Sequence, residues 1–146
     1  MRAPRRWMAI VALGVVYACA DLRINPEFNE NPTDFDDPSF ALDIMPIIKQ
    51  TCASSGSCHF GPNAAEGLRL DDDSVAYANL VNVPAVNAAM MRIRPTRPES
   101  SFAFRVLSES TAVRLGYYRM PLSEYLLPFE TREMIRNWIV EGAQNN

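Results

Sequence analysis

The chain has 146 residues, of which 48% are hydrophobic and 21% charged, and its formal net charge at pH 7 is −3. This length allows one domain with its own hydrophobic core but not two. Free-standing nucleic-acid-binding proteins are usually basic, so the acidic balance argues against a nucleic-acid partner.

Residues 1–18 have the organisation of a secretory signal peptide. Three arginines precede an apolar stretch at residues 7–16, and the small residue Ala18 closes the segment. The apolar stretch is too short to cross a bilayer, which takes about 20 residues. We therefore predict that residues 1–18 are removed; because three arginines leave with them, the formal net charge of the remaining 128 residues becomes −6.

The end of this segment, Val16-Tyr-Ala-Cys19, resembles the lipobox of bacterial lipoproteins. The resemblance implies that Cys19 becomes the lipidated N-terminus of an exported protein. Such a protein is anchored to a bacterial membrane, in the periplasm or at the cell surface, with the outer membrane favoured. The alternative is an ordinary cleaved signal that leaves Cys19 as a thiol in the tail.

Residues 19–38 are acidic and dotted with prolines, and no apolar period runs through them. This composition is typical of a flexible tether. The folded domain is therefore predicted to comprise residues 39–146.

The first predicted helix has Pro46 in its first turn and runs into Cys52, with isoleucines along one side. A second short helix is predicted at residues 75–81. The acids at positions 71–73 and Ser74 precede it and offer capping groups. The alternating ligands of a known calcium loop are missing, so capping is the preferred interpretation of these acids.

A third helix is predicted at residues 102–107, after the Pro98 turn. The last one is the clearest, because Met134, Ile135, Trp138 and Ile139 recur at helical spacing and Gly142 suits the C′ position. No stretch alternates convincingly between polar and apolar residues. The sequence therefore predicts an all-α domain of short helices and long loops.

Residues with distinctive chemistry concentrate in Cys52-Ala-Ser-Ser-Gly-Ser-Cys58-His59. A Cys-x-x-Cys-His string is the attachment signal of c-type haem, in which two thiols add to the porphyrin and the histidine reaches the iron. Here five residues separate the cysteines. On an unbroken helix, thiols six positions apart would diverge by about 120° and by ~9 Å along the axis. The intervening residues must therefore bulge, and serine and glycine suit such a bulge.

His59 is the only histidine of the chain. Because it directly follows a paired cysteine in a protein predicted to be exported, we expect it to be a metal ligand. A single histidine excludes a bis-histidine haem within the chain, and it excludes a multi-histidine zinc or copper site.

Met120 is the candidate for a second axial ligand, since a thioether suits ferrous iron and Pro121 prevents helix continuation. The alternative is that Met120 fills the core, as most methionines do. The rival methionines are Met45, Met90, Met91 and Met134. Met45 and Met134 fall in predicted helices, where packing explains them.

Five motifs occur in order along the domain: Cys58-His59, Gly67-Leu-Arg-Leu-Asp71, Arg97-Pro-Glu-Ser-Ser-Phe102, Met120-Pro121 and Trp138-Ile-Val-Glu-Gly-Ala143. Together they resemble the small cytochrome c-like domain, of the class I type, found in exported lipoproteins of planctomycetes and myxobacteria. The similarity covers residues 40–143.

The resemblance implies one haem c held by Cys52 and Cys58, with His59 as the proximal ligand and Met120 as the distal ligand of the iron. It also implies a cytochrome c-like fold in which the closing helix packs across the N-terminal one. Three loop arginines could pair with the haem propionates, or belong to a solvated loop. They are Arg92, Arg94 and Arg97.

Electron transfer is the first function predicted, because an iron with two axial ligands has no open position for a substrate. The protein would be a carrier and not an enzyme, with no small-molecule substrate. An enzyme with an open iron site is a further alternative, which requires that Met120 does not bind the iron. Its partners would be redox proteins, which we expect to have some basic surface facing this acidic domain.

The second predicted function is a haem-free structural or interaction module in which Cys52 and Cys58 form a disulfide. Export permits such a bond, and the five-residue spacing suits a bridge across a turn.

Overall fold

The computed structural model describes residues 37–56, 58–86, 88–122 and 126–146. The predicted signal peptide, the predicted lipidation site Cys19 and all but the last two residues of the predicted tether lie outside these ranges.

The domain begins with a continuous helical run at residues 40–52, called the N-terminal helix below. It consists of a π-helical turn at Phe40–Ile44, α1 at Met45–Ile47 and a second π-helical turn at Ile48–Cys52. The side chain of Ser39 caps its start by accepting from the Leu42 N–H.

Pro46 lies in the first turn of α1, as predicted, but the helical run already begins six residues earlier, at Phe40. Proline has no N–H, and its ring clashes with the carbonyl four residues before it. The helix accommodates Pro46 by widening: the Ile44 N–H donates to the Ser39 oxygen at 3.1 Å, five residues back. The run nevertheless ends at Cys52, as predicted.

The second predicted helix is confirmed as α2, Asp73–Leu80. Asp72 is its N-cap, and Asp72 Oδ1 accepts from the Val75 N–H at 3.2 Å. Asp73 forms an ion pair with Lys49 of the N-terminal helix. The capping interpretation of this acidic stretch is therefore correct for Asp72.

The middle of the domain contains short 3₁₀ turns at Ala65–Gly67 and Pro98–Ser100, then α3 at Phe102–Arg105 and α4 at Glu109–Arg114. The sequence predicts α3, two residues longer than observed, but it does not predict α4. Extended pairing within the described ranges is limited to isolated bridges, such as Val81 with Ile93. The all-α prediction is thus confirmed at the level of fold class.

The last helix, α5, spans Phe129–Val140. It ends in the predicted way at Gly142, whose φ is +107°. The Gly142 N–H donates to the Ile139 oxygen at 3.1 Å, and the Ala143 N–H donates to the Trp138 oxygen at 2.8 Å. This is a Schellman motif with glycine at C′.

The core lies where α5 packs against the N-terminal helix. The rings of Phe40 and Trp138 stack with centroids 5.4 Å apart, and the Tyr77 ring meets Phe40 edge-on. The core side chains are Phe40, Ile44, Met45, Ile48, Ala53, Leu70, Ala76, Leu80, Ile93, Trp138, Ile139 and Ala143. Cys52 packs on this cluster, so the Cys-His motif begins at the edge of the core. Among the described residues, no helix has both the length and the apolar character needed to span a membrane.

Candidate functional site

The helix breaks directly after Cys52, and the chain then folds back on it. The Cys58 N–H donates to the Ser55 oxygen at 3.0 Å, and the His59 N–H donates to the Cys52 oxygen at 3.1 Å. Residues 53–56 therefore lie in a loop outside the helix, which is the bulge that the spacing predicts. Backbone hydrogen bonds at Cys52, Cys58 and His59 close this loop.

Both cysteines are free thiols in this structure. Thr51 Oγ1 lies 3.4 Å from Cys52 Sγ, and Ser55 Oγ lies 3.3 Å from Cys58 Sγ. Burial raises the pKa of the Cys52 thiol; the Thr51 contact opposes this rise, and the charge of Cys58 adds to it. Cys52 is thus favoured as a protonated thiol.

The imidazole of His59 is half-buried and fixed by a backbone acceptor. Nδ1 lies 3.2 Å from the carbonyl oxygen of Ala65. Since a carbonyl can only accept, Nδ1 carries the proton and the lone pair is on Nε2. Burial lowers the pKa of His59, and the positive charge of Arg92 lowers it further, against the carbonyls of Ala65 and Leu68. The result is an imidazole favoured in its neutral form, with Nδ1 on a backbone carbonyl as in many metal-ligating histidines.

Hydrogen bonds hold the loop that carries His59 at both of its ends. The His59 oxygen accepts from the Leu70 N–H at 2.8 Å. Asp71 Oδ1 accepts from the Gly61 N–H at 3.0 Å and from Arg69 Nε at 2.9 Å. Arg69, and secondarily Gly61, hold the pKa of Asp71 down at about 2. The carboxylate therefore joins the two arms of the loop as an anion.

Arg92 is linked to the His59 loop by hydrogen bonds, a role that its position in the sequence does not predict. Its Nη1 donates to the Asn79 oxygen at 2.9 Å, and Asn79 Nδ2 donates to the Arg69 oxygen at 2.9 Å. This chain of contacts connects Arg92 to the loop, and its charge acts on His59. No local signal in the sequence could single out Arg92 from Arg94, because the contact depends on where α2 packs.

Met120 lies in the segment that follows α4. Its N–H donates to the Val106 oxygen at 2.8 Å, after α3, and the Met120–Pro121 peptide bond is cis. Among the described hydrogen bonds, ion pairs and ring contacts, none joins Met120 to Cys52, Cys58 or His59. The structure therefore joins three of the four predicted haem-binding residues through one loop and shows Met120 as a half-buried side chain of another segment.

The rival methionines separate into two groups. Met45 is buried in the core and Met134 packs against it, so packing accounts for both. Met90 and Met91 line a groove of about 460 Å³ next to Arg94.

The loop that closes at Cys52 carries donors of the kinds that bind haem c. In the described ranges, no group of three or more histidine, cysteine or acidic side chains is arranged to hold a metal ion. Two free thiols and a histidine on one loop are the groups that haem c requires. No family model, curated protein or solved structure matches the chain.

Proposed function

We propose that the protein is a lipid-anchored, mono-haem c-type cytochrome with a cytochrome c-like fold that transfers electrons. One observation carries the proposal: the chain turns back after Cys52 so that the His59 N–H donates to the Cys52 oxygen, which puts two free thiols and a histidine on one short loop. The Nδ1 of this histidine is bound by the Ala65 carbonyl. Without that contact the imidazole could rotate, and either ring nitrogen could then face the iron.

The assigned roles follow from the chemistry of each side chain. Cys52 and Cys58 would hold haem c through thioether bonds, and Nε2 of His59 would reach the iron. A bound haem supplies one-electron chemistry at an iron whose potential depends on its axial ligands. The surroundings of His59 act on this site by keeping the imidazole neutral and its orientation fixed.

Met120 is proposed as the second axial ligand. Its thioether is soft, it is half-buried, and Pro121 after it keeps the segment out of helix. A His/Met pair shifts a haem potential toward the oxidising end of the range and leaves no open position. The protein is therefore proposed as an electron carrier without a small-molecule substrate.

Cys19 is proposed as the lipid attachment site of an exported protein, held on a bacterial membrane by the tether of residues 19–38. The acidic balance of the chain favours redox partners with some basic surface. Such complementarity acts mainly on the rate of encounter.

The experiment is to produce the full chain together with a c-type maturation system and record the visible spectrum of the reduced protein. We expect a c-type haem spectrum, a haem stain that survives a denaturing gel, and an intact mass increased by one haem. The double variant Cys52→Ser/Cys58→Ser should lose all three signals, whereas Ser54→Ala in the same loop should keep them. A colourless wild-type protein would refute the proposal.

A haem-free module with a Cys52–Cys58 disulfide is the second candidate, and the same loop closure favours it. The His59 N–H donates to the Cys52 oxygen at 3.1 Å, so the loop closes one residue from Cys58. Intact mass distinguishes the candidates, because a disulfide removes two hydrogens while a haem adds several hundred daltons.

A further inference from the structure

Exposed apolar side chains concentrate at α4 and in the segment that follows it. Val113, Tyr118 and Leu122 are 67%, 81% and 73% exposed, so three such side chains occur within ten residues. Single exposed apolar residues are normal on a protein surface, whereas a cluster of them marks a binding surface.

The backbone of this segment is held against the domain while these side chains face solvent. The ring of Tyr117 meets that of Phe102 edge-on, with centroids 4.8 Å apart. The Met120 N–H donates to the Val106 oxygen at 2.8 Å. Because the neighbours on either side of Tyr118 are fixed to the α3 region, its own side chain points away from the domain.

The two ends of the stretch between α4 and α5 lie close together. Thr111 and Phe129 line one cavity of about 150 Å³, beside Arg105 and Arg132. The chain therefore leaves the domain after α4 and returns to the same place at the start of α5. The exposed side chains that follow α4 lie on this excursion of the chain and not in a groove.

The charges near these side chains are positive. Residues 110–122 contain Arg114 and Arg119 and no acidic residue. The wider range 88–122 has six arginines and two glutamates, whereas residues 37–86 have six acidic and two basic residues. The exposed apolar side chains thus belong to the basic part of an acidic chain. A basic partner would be repelled there, and two copies related by a twofold axis would bring their arginines together.

We propose that this surface, formed by Val113, Tyr118 and Leu122 with Arg114 and Arg119, binds an anionic lipid bilayer. The aliphatic side chains enter the boundary of the acyl chains, the tyrosine lies at the level of the headgroups, and the arginines face lipid phosphates. A protein partner would need a surface of about 20 residues or more, which is far larger than this group. A bilayer requires only that the apolar side chains protrude.

Fluorescence of the full chain carrying Tyr118→Trp tests the proposal. The chain is mixed with vesicles of phosphatidylethanolamine and phosphatidylglycerol, prepared with and without brominated acyl chains. Bromine quenches an indole only at short range, and the comparison of the two vesicle types cancels any quenching within the protein. After subtraction of the wild-type signal, we expect quenching with phosphatidylglycerol and much less with phosphatidylcholine alone or at high salt. The absence of quenching would overturn the proposal.

Leu42→Trp is the matched control, because Leu42 is 80% exposed but lies in the first turn of the N-terminal helix, next to Asp43. It should show no quenching by brominated lipid. Equal quenching at positions 42 and 118 would mean that the chain contacts the bilayer without a preferred surface, and this would overturn the assignment.

Two further substitutions are each combined with Tyr118→Trp. Leu122→Ser should reduce the quenching on every vesicle type, because less apolar area enters the bilayer. Arg114→Gln should weaken the contact about fivefold, and only on phosphatidylglycerol vesicles. Unchanged quenching in both would contradict the proposal. So would a dimer in sedimentation equilibrium without vesicles that Leu122→Ser dissociates, since the surface would then bind a second copy.

This inference goes beyond the proposed electron transfer, and its readout needs neither haem nor a lipid on Cys19. Intact mass shows separately whether the chain carries either group. Quenching at position 118 in a chain without both would support the bilayer contact although the proposed function had failed. A lipidated chain without that quenching would refute the bilayer contact and leave the proposed anchor standing.

Discussion

The segment that carries His59 and the one that carries Met120 are built differently. Backbone bonds return the His59 loop to Cys52 and Leu70, and the Asp71 carboxylate joins its two arms. Around Met120, apolar side chains instead face solvent: Tyr118 is 81% exposed and Leu122 is 73% exposed. Neighbouring contacts therefore fix the first segment, whereas the second derives little hydrophobic stabilisation from the rest of the domain.

This difference implies that substitutions should lower the free energy of unfolding most at the core that supports the His59 loop, less within the loop itself, and least at Met120. Effects on haem properties should not follow that order. The following substitutions test whether the two segments are as distinct as their contacts indicate.

Trp138→Ala should have the largest effect on stability. The indole is 2% exposed, stacks on Phe40, and donates from Nε1 to the Gln144 oxygen at 2.9 Å. Truncating a buried tryptophan typically costs about 3–5 kcal/mol. Urea unfolding followed by circular dichroism should therefore show a protein close to the limit of its stability.

Val140→Ala in the same helix is the matched control, since Val140 is 43% exposed. A change within about 0.5 kcal/mol is expected there. If Trp138→Ala cost no more than this control, α5 would not be the support of the N-terminal helix.

Asp71→Asn should lower the stability of the His59 loop, and it should do so only above the strongly acidic pH range. The folded-state pKa of about 2 lies below the value near 4 of an unfolded aspartate. The unfolded state therefore binds more protons between these values, so the stabilisation is present above about pH 4 and is lost as the pH falls toward 2. In this pH window the free energy of unfolding should fall less steeply with decreasing pH in the variant than in the wild type. Urea unfolding at a series of pH values measures this difference.

Arg69→Gln separates the two partners of that carboxylate. It removes the guanidinium but leaves the Gly61 N–H as a donor to Asp71. An intermediate acid dependence is expected. If both variants followed the wild-type curve, Asp71 would not hold the arms of the loop together.

The features that the sequence predicted correctly depend on neighbouring residues. Asp72 caps α2 and Gly142 terminates α5 because both signals act within one helical turn. The bulge between Cys52 and Cys58 follows from helix geometry alone. The π-helical start at Phe40 was missed, because proline is usually read as a helix start and here a widened helix accommodates it.

The features that the sequence could not predict depend on distant contacts. Arg92 acts on His59 only because α2 places Asn79 between its guanidinium and the loop. The cavity beside Arg105 and Arg132 exists only where α5 faces the α3–α4 region. For the same reason the Met-Pro motif indicates a role for Met120 but not a position relative to His59.

Met120→Ala should change the stability least and the haem properties most. Because Met120 is only half-buried, its truncation should cost less than that of a core methionine, for which about 2–5 kcal/mol is typical. Haem should stay attached through Cys52 and Cys58, with His59 on the iron. The potential should fall, the weak sulfur-to-iron band of the ferric form should vanish, and carbon monoxide should bind the reduced protein.

Met134→Ala is the control for this last variant, since Met134 packs against the core and no role at the haem is proposed for it. It should lower the free energy of unfolding and leave the spectrum unchanged. If Met120→Ala instead keeps the wild-type spectrum and potential, the distal ligand lies elsewhere, and Met90 and Met91 are the next methionines to replace. If the wild type itself binds carbon monoxide rapidly, the iron has an open position and the assignment as a pure electron carrier is wrong.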